Sequence, residues 1–197
     1  MEITSGMVKE LRNRTNVGMM DCKKALQDAG GDMEKAVDLL RQKGLAKAMK
    51  RAGREAADGL VHSYIHSGGK IGVLVEVNCE TDFAAKSDDF GEFIRNVALQ
   101  IAAANPLGVN PEDIPSDVVE RERAIYMAQA QESGKPANIL EKMVDGKMRK
   151  FYEESALMQQ KFIRDPEKSI QDYLNELIAK VGEKIEVRRF CRYQLGE

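Results

Sequence analysis

At 197 residues the chain is long enough for one ordinary domain with a small appendage and too short for several independent cores. With 43% hydrophobic and 31% charged residues and no window typical of a transmembrane span, the composition excludes a disordered protein and a membrane-spanning one. Lys and Arg total 30 against 32 Asp and Glu, and because this balance lacks the positive excess that phosphate backbones require, we expect no direct contact with nucleic acid.

Three short amphipathic helices are predicted in the first 44 residues. Gly30-Gly31 and Gly44 fall where these helices end, while Thr4 or Ser5 can cap the first helix and Asp32 the third. Each helix carries an apolar face at helical spacing, so the three faces can converge on one small core. The apolar faces comprise Ile3, Met7, Val8 and Leu11, then Cys22, Ala25, Leu26 and Ala29, then Met33, Ala36, Val37 and Leu40.

Residues 45–57 are rich in Ala, Lys and Arg, and include Lys47 and Lys50. This composition predicts a basic helical linker with a solvated surface. A patch that docks an anionic partner is the alternative, although solvation is the commoner reason for such a run of charge. We therefore divide the chain here, between a three-helix unit at 1–44 and a core at 58–197.

The core is predicted to begin with a β-hairpin. Residues 60–66 and 71–79 are β-rich, and Ser67-Gly68-Gly69-Lys70 between them has the composition of a turn. A helix that starts at Ser87 or Asp88 follows, and Asn105-Pro106 ends it. The pattern predicts a small antiparallel sheet with helices packed beside it.

Helical spacing recurs through the second half of the core. Asp117 and Glu120 have the spacing of a capping box before one helix, which Gly134 and the proline after it end. Another helix starts near residue 137, and a third ends before Gly182. A final strand at 184–194 completes an α+β core, and a change of apolar face along it predicts a bulge or burial on both sides.

The residue types needed for catalysis are sparse. His62 and His66 share one face of the first predicted strand, but two imidazoles do not complete a zinc site. Ile71 follows Gly69-Lys70 where a phosphate-binding loop requires Ser or Thr, and no Gly-x-Ser-x-Gly elbow occurs. We therefore expect no enzyme activity, no metal and no cofactor.

The three cysteines point to a reducing compartment. Cys22, Cys79 and Cys191 lie far apart in the sequence and form no Cys-x-x-Cys pair, so they provide no disulfide framework. The first residues enter an amphipathic pattern without a basic leader and an apolar stretch. Together these features predict a cytoplasmic protein.

Two local features suggest contacts with a partner. Met20 lies nearly opposite the apolar face of the second helix, with Met19 at its margin, which is typical either of scattered exposed residues or of adaptable methionine contacts to a partner. The second feature is the segment 80–85, at the junction between hairpin and helix, where side chains commonly reach partners. On its residues alone, Phe83 is expected to tuck under the following helix rather than project outward.

Motifs along essentially the whole chain resemble the elongation factor Ts family. The N-terminal motif runs LRNRT over 11–15 and GMMDCKKAL over 18–26, and the core motif runs IGVLVEVNCETDF over 71–83. GKP at 134–136 and GKM at 146–148 resemble the later helices of the family. The resemblance implies a ubiquitin-associated-like three-helix domain and an α+β core that together bind elongation factor Tu.

The resemblance also implies a guanine-nucleotide exchange factor that makes no bonds of its own. Thr81, Asp82, Phe83 and Ala84 match the element that dislodges Mg²⁺ from elongation factor Tu, with Phe83 as an apolar wedge and Asp82 holding the orientation of the segment. Ala84 departs from the usual valine, so one apolar contact is smaller here.

The resemblance gives the N-terminal unit a docking role, in which Arg12, Met19 and Met20 contact the GTPase domain of the partner. The chain resembles the short form of the family, which implies a homodimer. Cys191 on the last strand can then approach its symmetry mate, with a buried free thiol as the alternative.

Two other functions compete with nucleotide exchange. A three-helix polypeptide-binding adaptor is compatible with the fold, but it has no need of the Thr-Asp-Phe segment. An RNA-binding accessory factor requires aromatic platforms interleaved with basic residues, and this sequence has no Trp and a net charge of −2.

Overall fold

The computed structural model describes residues 3–15, 17–51, 53–132 and 136–197. Within these ranges the chain forms three helices first and then a mixture of helices and strands, which confirms the predicted α+β class. The elements are α1 (Ser5–Thr15), α2 (Met19–Asp28), α3 (Met33–Arg51), β1 (Asp58–Ile65), β2 (Ile71–Cys79), α4 (Asp82–Ala85), α5 (Asp88–Ala104), α6 (Ser116–Gln131), α7 (Ala137–Ser155), β3 (Lys161–Phe162), β4 (Asp165–Ser169), α8 (Ile170–Val181) and β5 (Ile185–Gln194).

The chain divides into two compact units, each assembled from separate stretches of sequence. Unit 1 comprises Met1–Leu60, Asn78–Phe93 and Leu174–Glu186. Unit 2 comprises Val61–Val77, Ile94–Tyr173 and Val187–Glu197. The contiguous division at residues 45–57 stays a prediction, because compactness does not show which parts fold independently.

The three-helix part of unit 1 forms as its sequence predicts. Thr4 Oγ1 accepts a hydrogen bond from the Met7 amide at 3.3 Å, and Asp32 Oδ1 accepts one from the Lys35 amide at 3.1 Å, so both predicted caps are confirmed. The apolar faces of α1, α2 and α3 meet in one cluster. Its buried members are Val8, Leu11, Cys22, Ala25, Leu26, Ala36 and Leu40.

Helix α3 is longer than predicted. It continues through Gly44 to Arg51, since the Ala- and Lys-rich residues that follow have high helix propensity. Gly44 is buried within the helix, and a Cβ atom placed on it would lie 3.5 Å from the Ala179 side chain, an ordinary van der Waals contact, so this glycine does not end the helix. The side chains of Lys47 and Lys50 lie outside the described residues.

The three-stranded sheet has the strand order β1-β2-β5. Gly68 and Gly69 adopt the left-handed φ values of 89° and 69° in the turn between β1 and β2, which only glycine adopts without strain. The Leu195 amide, just beyond β5, donates to the Lys70 carbonyl at 2.8 Å, just before β2. The end of β5 therefore lies beside the start of β2, and the two strands run antiparallel.

Helices α6 and α7 pack together within unit 2, around Ala130, Val144 and Met148. The predicted capping box at Asp117 and Glu120 is wrong. Helix α6 begins one residue earlier, at Ser116, behind a proline that makes no side-chain cap bond. The predicted helix end at Gly134 lies outside the described residues.

The last helix forms as predicted, and the last strand begins one residue later than predicted, at Ile185. The predicted burial of this strand on both sides is wrong, because its residues after Val187 are half-buried or exposed. Helix α8 ends at Val181 and is followed by Gly182 with a left-handed φ of 84°, the conformation expected after a helix. Ile185 and Val187 of β5 are buried. Across the described ranges, no helix is long and apolar enough to cross a membrane.

Candidate functional site

Helix α4 is a single turn between β2 and α5 that presents Phe83 to solvent. The Phe83 side chain is 83% exposed, whereas Ala84 and Ala85 are buried. Because successive residues turn by about 100° around a helix, the two inward alanines direct Phe83 outward. The expectation that Phe83 tucks beneath the next helix is wrong, since the alanines take the inward positions.

Thr81 caps α4 and is bonded through every polar atom it has. Its Oγ1 accepts from the Ala84 amide at 3.3 Å, as an N-cap residue does. The Thr81 amide and hydroxyl donate to the two carboxylate oxygens of Glu183, at 3.0 and 2.7 Å. Its carbonyl accepts from the Cys79 thiol at 3.1 Å and from the Ala85 amide at 3.3 Å.

Asp82 bonds along its own segment. Its Oδ2 accepts from Lys86 Nζ at 2.6 Å, one helical turn later. This hydrogen bond lowers the pKa of Asp82 and raises the pKa of Lys86. The carboxylate is thus turned along the segment, and the orienting role of Asp82 stays a prediction.

Glu80, just before the cap, is held from two sides. Its Oε1 accepts from the Lys184 amide at 2.6 Å, and its carboxylate pairs with Arg54 at 3.1 Å. The bond from the Lys184 amide, followed by the bond from Arg54, lowers the pKa of Glu80. Lys184 Nζ also donates to the Arg54 carbonyl at 3.0 Å, which links the two supports.

The buried thiol of Cys79 lies under this turn. Burial raises the pKa of Cys79 to about 11, and the negative charges of Glu183 and Asp58 add to the shift. The thiol therefore stays protonated at neutral pH and keeps its hydrogen for the bond to Thr81.

The supports of this turn were missed by the sequence analysis. Glu183 is 102 residues from Thr81, and Lys184 is 104 residues from Glu80. No local spacing relates residues so far apart, because they are brought together only by the packing of α8 and β5 beside the hairpin end within unit 1.

The predicted docking residues lie around the loop between α1 and α2. Arg12 is exposed near the end of α1, and Met19 and Met20 begin α2 with 43% and 77% of their surface exposed. Cys22, two residues after Met20, is fully buried, so the methionines lie on the outer side of α2. Their exposure agrees with the pattern, and their docking role stays a prediction.

One face of the three-stranded sheet is apolar and exposed. A Cβ atom on Gly72 would lie 3.1 Å from Ile65 Cδ1, so these two residues share a face, and Leu74 joins them by alternation. Glu76 on the same face accepts from Arg189 Nε of β5 at 2.6 Å. The exposed members of this face, called the sheet patch below, are Val61, Ile65, Leu74, Cys191 and Tyr193.

Cys191 is exposed, so the alternative of a buried free thiol is wrong for this residue. Solvent therefore reaches the face of β5 that carries Cys191, while Cys22 and Cys79 are buried. All three cysteines are free thiols in the single chain.

The two histidines do not form a metal centre. His66 is exposed and its Nδ1 lies 3.0 Å from the hydroxyl of Tyr64, while His62 is half-buried. In the part of the chain that the structure describes, no group of three or more His, Cys, Asp and Glu side chains is placed to hold a metal ion.

Comparison with known proteins places this sequence in a family. The family profile described as elongation factor TS matches residues 45–197. The chain is 76% identical over 196 residues to a protein of Syntrophobacter fumaroxidans, covering 100% of this chain and 98% of the relative. It is 62% identical to a protein of Desulfosudis oleivorans, covering 99% and 98%, and 60% identical to one of Carboxydothermus hydrogenoformans, covering 99% and 90%. All three relatives are named elongation factor Ts.

Proposed function

This chain belongs to the elongation factor Ts family, and we propose that it binds elongation factor Tu in its GDP form and speeds the release of GDP, so that GTP can bind. The family and the names of its relatives support a role in translation elongation. The observation that carries the proposed mechanism is Phe83, an aromatic side chain that is 83% exposed on a turn held by surrounding hydrogen bonds.

The exchange step follows from charge and geometry at the partner's nucleotide. GDP carries concentrated negative charge that Mg²⁺ neutralises, and Mg²⁺ requires near-octahedral oxygen ligands. Phe83 acts as a wedge between elements that support this ion, so a small displacement weakens the metal and phosphate contacts together. By linkage, exchange factor and GDP then weaken each other's binding, with a coupling of about 1–3 kcal/mol or more.

The residues beside Phe83 have different roles in this mechanism. Thr81 fixes the start of the turn, and Asp82 bonds to Lys86 and orients it. Ala84 is buried beneath the turn, so in this conformation its side chain supports the turn from inside and does not face the partner. The chain makes and breaks no covalent bond in this scheme.

The N-terminal unit supplies affinity for the partner. Arg12, Met19 and Met20 are exposed together near the α1–α2 loop, and methionine side chains adapt readily to a partner's surface. We propose that these residues dock on the GTPase domain of elongation factor Tu and leave the displacement step to Phe83.

The sheet patch supports a homodimer. A contiguous exposed apolar surface is unusual on a monomeric protein, and a two-fold axis would cover the patch with its own copy. Cys191 and Tyr193 belong to the patch, so a two-fold axis that passes near Cys191 would bring the two Cys191 thiols close together.

We place this activity in the cytoplasm, with no direct contact to nucleic acid or membrane. The net charge of −2 supports the absence of direct contact with nucleic acid, because phosphate binding requires positive charge. Three free thiols are compatible with a reducing compartment.

A single stopped-flow experiment tests the proposal. Elongation factor Tu loaded with a fluorescent GDP is mixed with excess unlabelled GDP, with and without this protein, and GDP release is followed. We expect a large acceleration that saturates with protein concentration. Binding without acceleration, measured in parallel by calorimetry, would refute exchange and leave the adaptor function.

A further inference from the structure

The turn that bears Phe83 cannot hold itself in place. Helix α4 has four residues, and helices of one turn are unstable alone because nucleation is costly. Its buried side chains are two alanines, which contribute little apolar area. The direction of Phe83 therefore depends on what anchors the start of the turn, at Thr81.

The strongest anchor comes from the link between α8 and β5. Both carboxylate oxygens of Glu183 are used, one by the Thr81 amide at 3.0 Å and the other by the Thr81 hydroxyl at 2.7 Å. Two bonds from one carboxylate to one residue fix its orientation as well as its position. The same hydroxyl caps α4 through the Ala84 amide, so the orientation set by Glu183 passes to the helix.

The rest of the link reinforces this arrangement. The Lys184 amide donates to Glu80 at 2.6 Å, which places the residue before Thr81. Arg54 pairs with Glu80 and its carbonyl accepts from Lys184 Nζ, so the stretch after α3 braces the same point. The turn is thus held by groups from distant parts of the sequence in addition to its own Asp82–Lys86 bond.

We propose that Glu183 is a positioning residue for nucleotide exchange, which holds the Thr81 turn so that Phe83 projects toward the partner. This inference rests on the proposed function, and it adds to it a residue outside the Thr-Asp-Phe segment. Glu183 needs no contact with elongation factor Tu for this role.

The first test is Glu183→Gln in the full chain. Glutamine has nearly the same shape, but it offers one carbonyl oxygen where Thr81 presents two donors, and it removes the charge. At saturating protein we expect the maximal rate of GDP release to fall by about tenfold, the effect of losing one charge-assisted hydrogen bond. Glu120→Gln, at an exposed position on α6, is the matched control and should leave the rate unchanged.

Thr81 provides the reciprocal test. Thr81→Val keeps the shape without the hydroxyl and should lower the rate as Glu183→Gln does, whereas Thr81→Ser keeps the hydroxyl and should retain more of the rate than Thr81→Val. Because the two residues act through shared bonds, the double variant Thr81→Val with Glu183→Gln should be little worse than the worse single variant. Fully additive losses would overturn the proposal.

Amide hydrogen exchange of the free chain, measured by NMR, tests whether Glu183 holds the Thr81 turn in place, separately from its effect on GDP release. In Glu183→Gln the Thr81 and Ala84 amides should exchange about tenfold faster, while the buried strand around Val75 stays unchanged. Wild-type amide exchange with a lowered GDP-release rate would overturn the proposal, and so would faster amide exchange with a wild-type rate. A wild-type chain that fails to speed GDP release would refute the proposed function itself. The control variant and the amide measurement distinguish that result from a failure of the proposed role of Glu183.

Discussion

Phe83→Ala separates a wedge from a core residue, because the two roles predict opposite effects on stability. With 83% of its surface exposed, Phe83 contributes little to folding, so its truncation should change the free energy of unfolding by about 0.5 kcal/mol or less. Phe93, which is fully buried at 0% exposure, is the matched control for a core phenylalanine. Phe93→Ala should cost about 3–5 kcal/mol and lower the melting temperature by roughly 6–20 °C, at about 2–4 °C per kcal/mol for a chain of this size.

The effect on exchange can be estimated from the exposed area. A phenylalanine side chain buries roughly 200 Å² when covered, so the exposed share of Phe83 offers about 165 Å², worth at most about 4 kcal/mol. Interface anchors commonly lose about 2 kcal/mol or more on truncation. We therefore expect the exchange-competent complex to weaken by at least about thirtyfold, at about 1.4 kcal/mol for each factor of ten.

Two measurements on the same preparation distinguish a wedge role of Phe83 from a core role. A thermal melt reports the stability of Phe83→Ala and Phe93→Ala, and a GDP-release titration with elongation factor Tu reports exchange. A normal melt with impaired exchange supports the wedge. Normal exchange with a depressed melt would show that Phe83 is a structural residue and would leave the mechanism without its central side chain.

Three further predictions concern other surfaces of the molecule. Met19→Ala with Met20→Ala should raise the concentration for half-maximal GDP release by about tenfold and leave the plateau unchanged, whereas a lower plateau would show that these residues act in the displacement step. Iodoacetamide at pH 8 should modify Cys79 slowly, and it should modify Cys191 slowly in the wild-type dimer but quickly in Leu74→Glu, where the sheet patch is uncovered, as mass spectrometry of timed samples reports. Because burial raises the pKa of Cys79 from 9.0 to about 11, its contribution to stability is complete below pH 9 and is lost as the pH rises toward 11 in urea melts. Light scattering at micromolar concentration should find a dimer for the wild type and a monomer for Leu74→Glu, and a monomeric wild type would refute the dimer.

Much of the fold was predictable because its signals are local. The hairpin follows from β-rich runs around Gly68 and Gly69, and α8 follows from apolar residues at helical spacing before Gly182. The caps at Thr4 and Asp32 involve residues only three positions away. In each case the residues that decide the structure are neighbours in the sequence.

The errors arose where tertiary packing overrides a local signal. Gly44 does not stop α3, because it is buried beside Ala179 and the residues that follow it have high helix propensity. Phe83 points outward because the adjacent alanines take the buried positions, a choice that depends on how a single helical turn is anchored. The identity of the candidate segment could be predicted from its motif, but its anchor at Glu183 could not.

Unit 1 is assembled from three stretches of chain, and this sets the order in which its parts can form during synthesis. At about 5–20 residues per second, Glu183 is added roughly 5–20 seconds after Thr81, which it follows by 102 residues. The apolar cluster of helices α1 to α3 consists of residues that all precede this later sequence. The surface around Met20 is therefore synthesised well before the groups that hold the turn bearing Phe83, and under the proposed function we predict that unfinished chains bind elongation factor Tu without releasing its GDP.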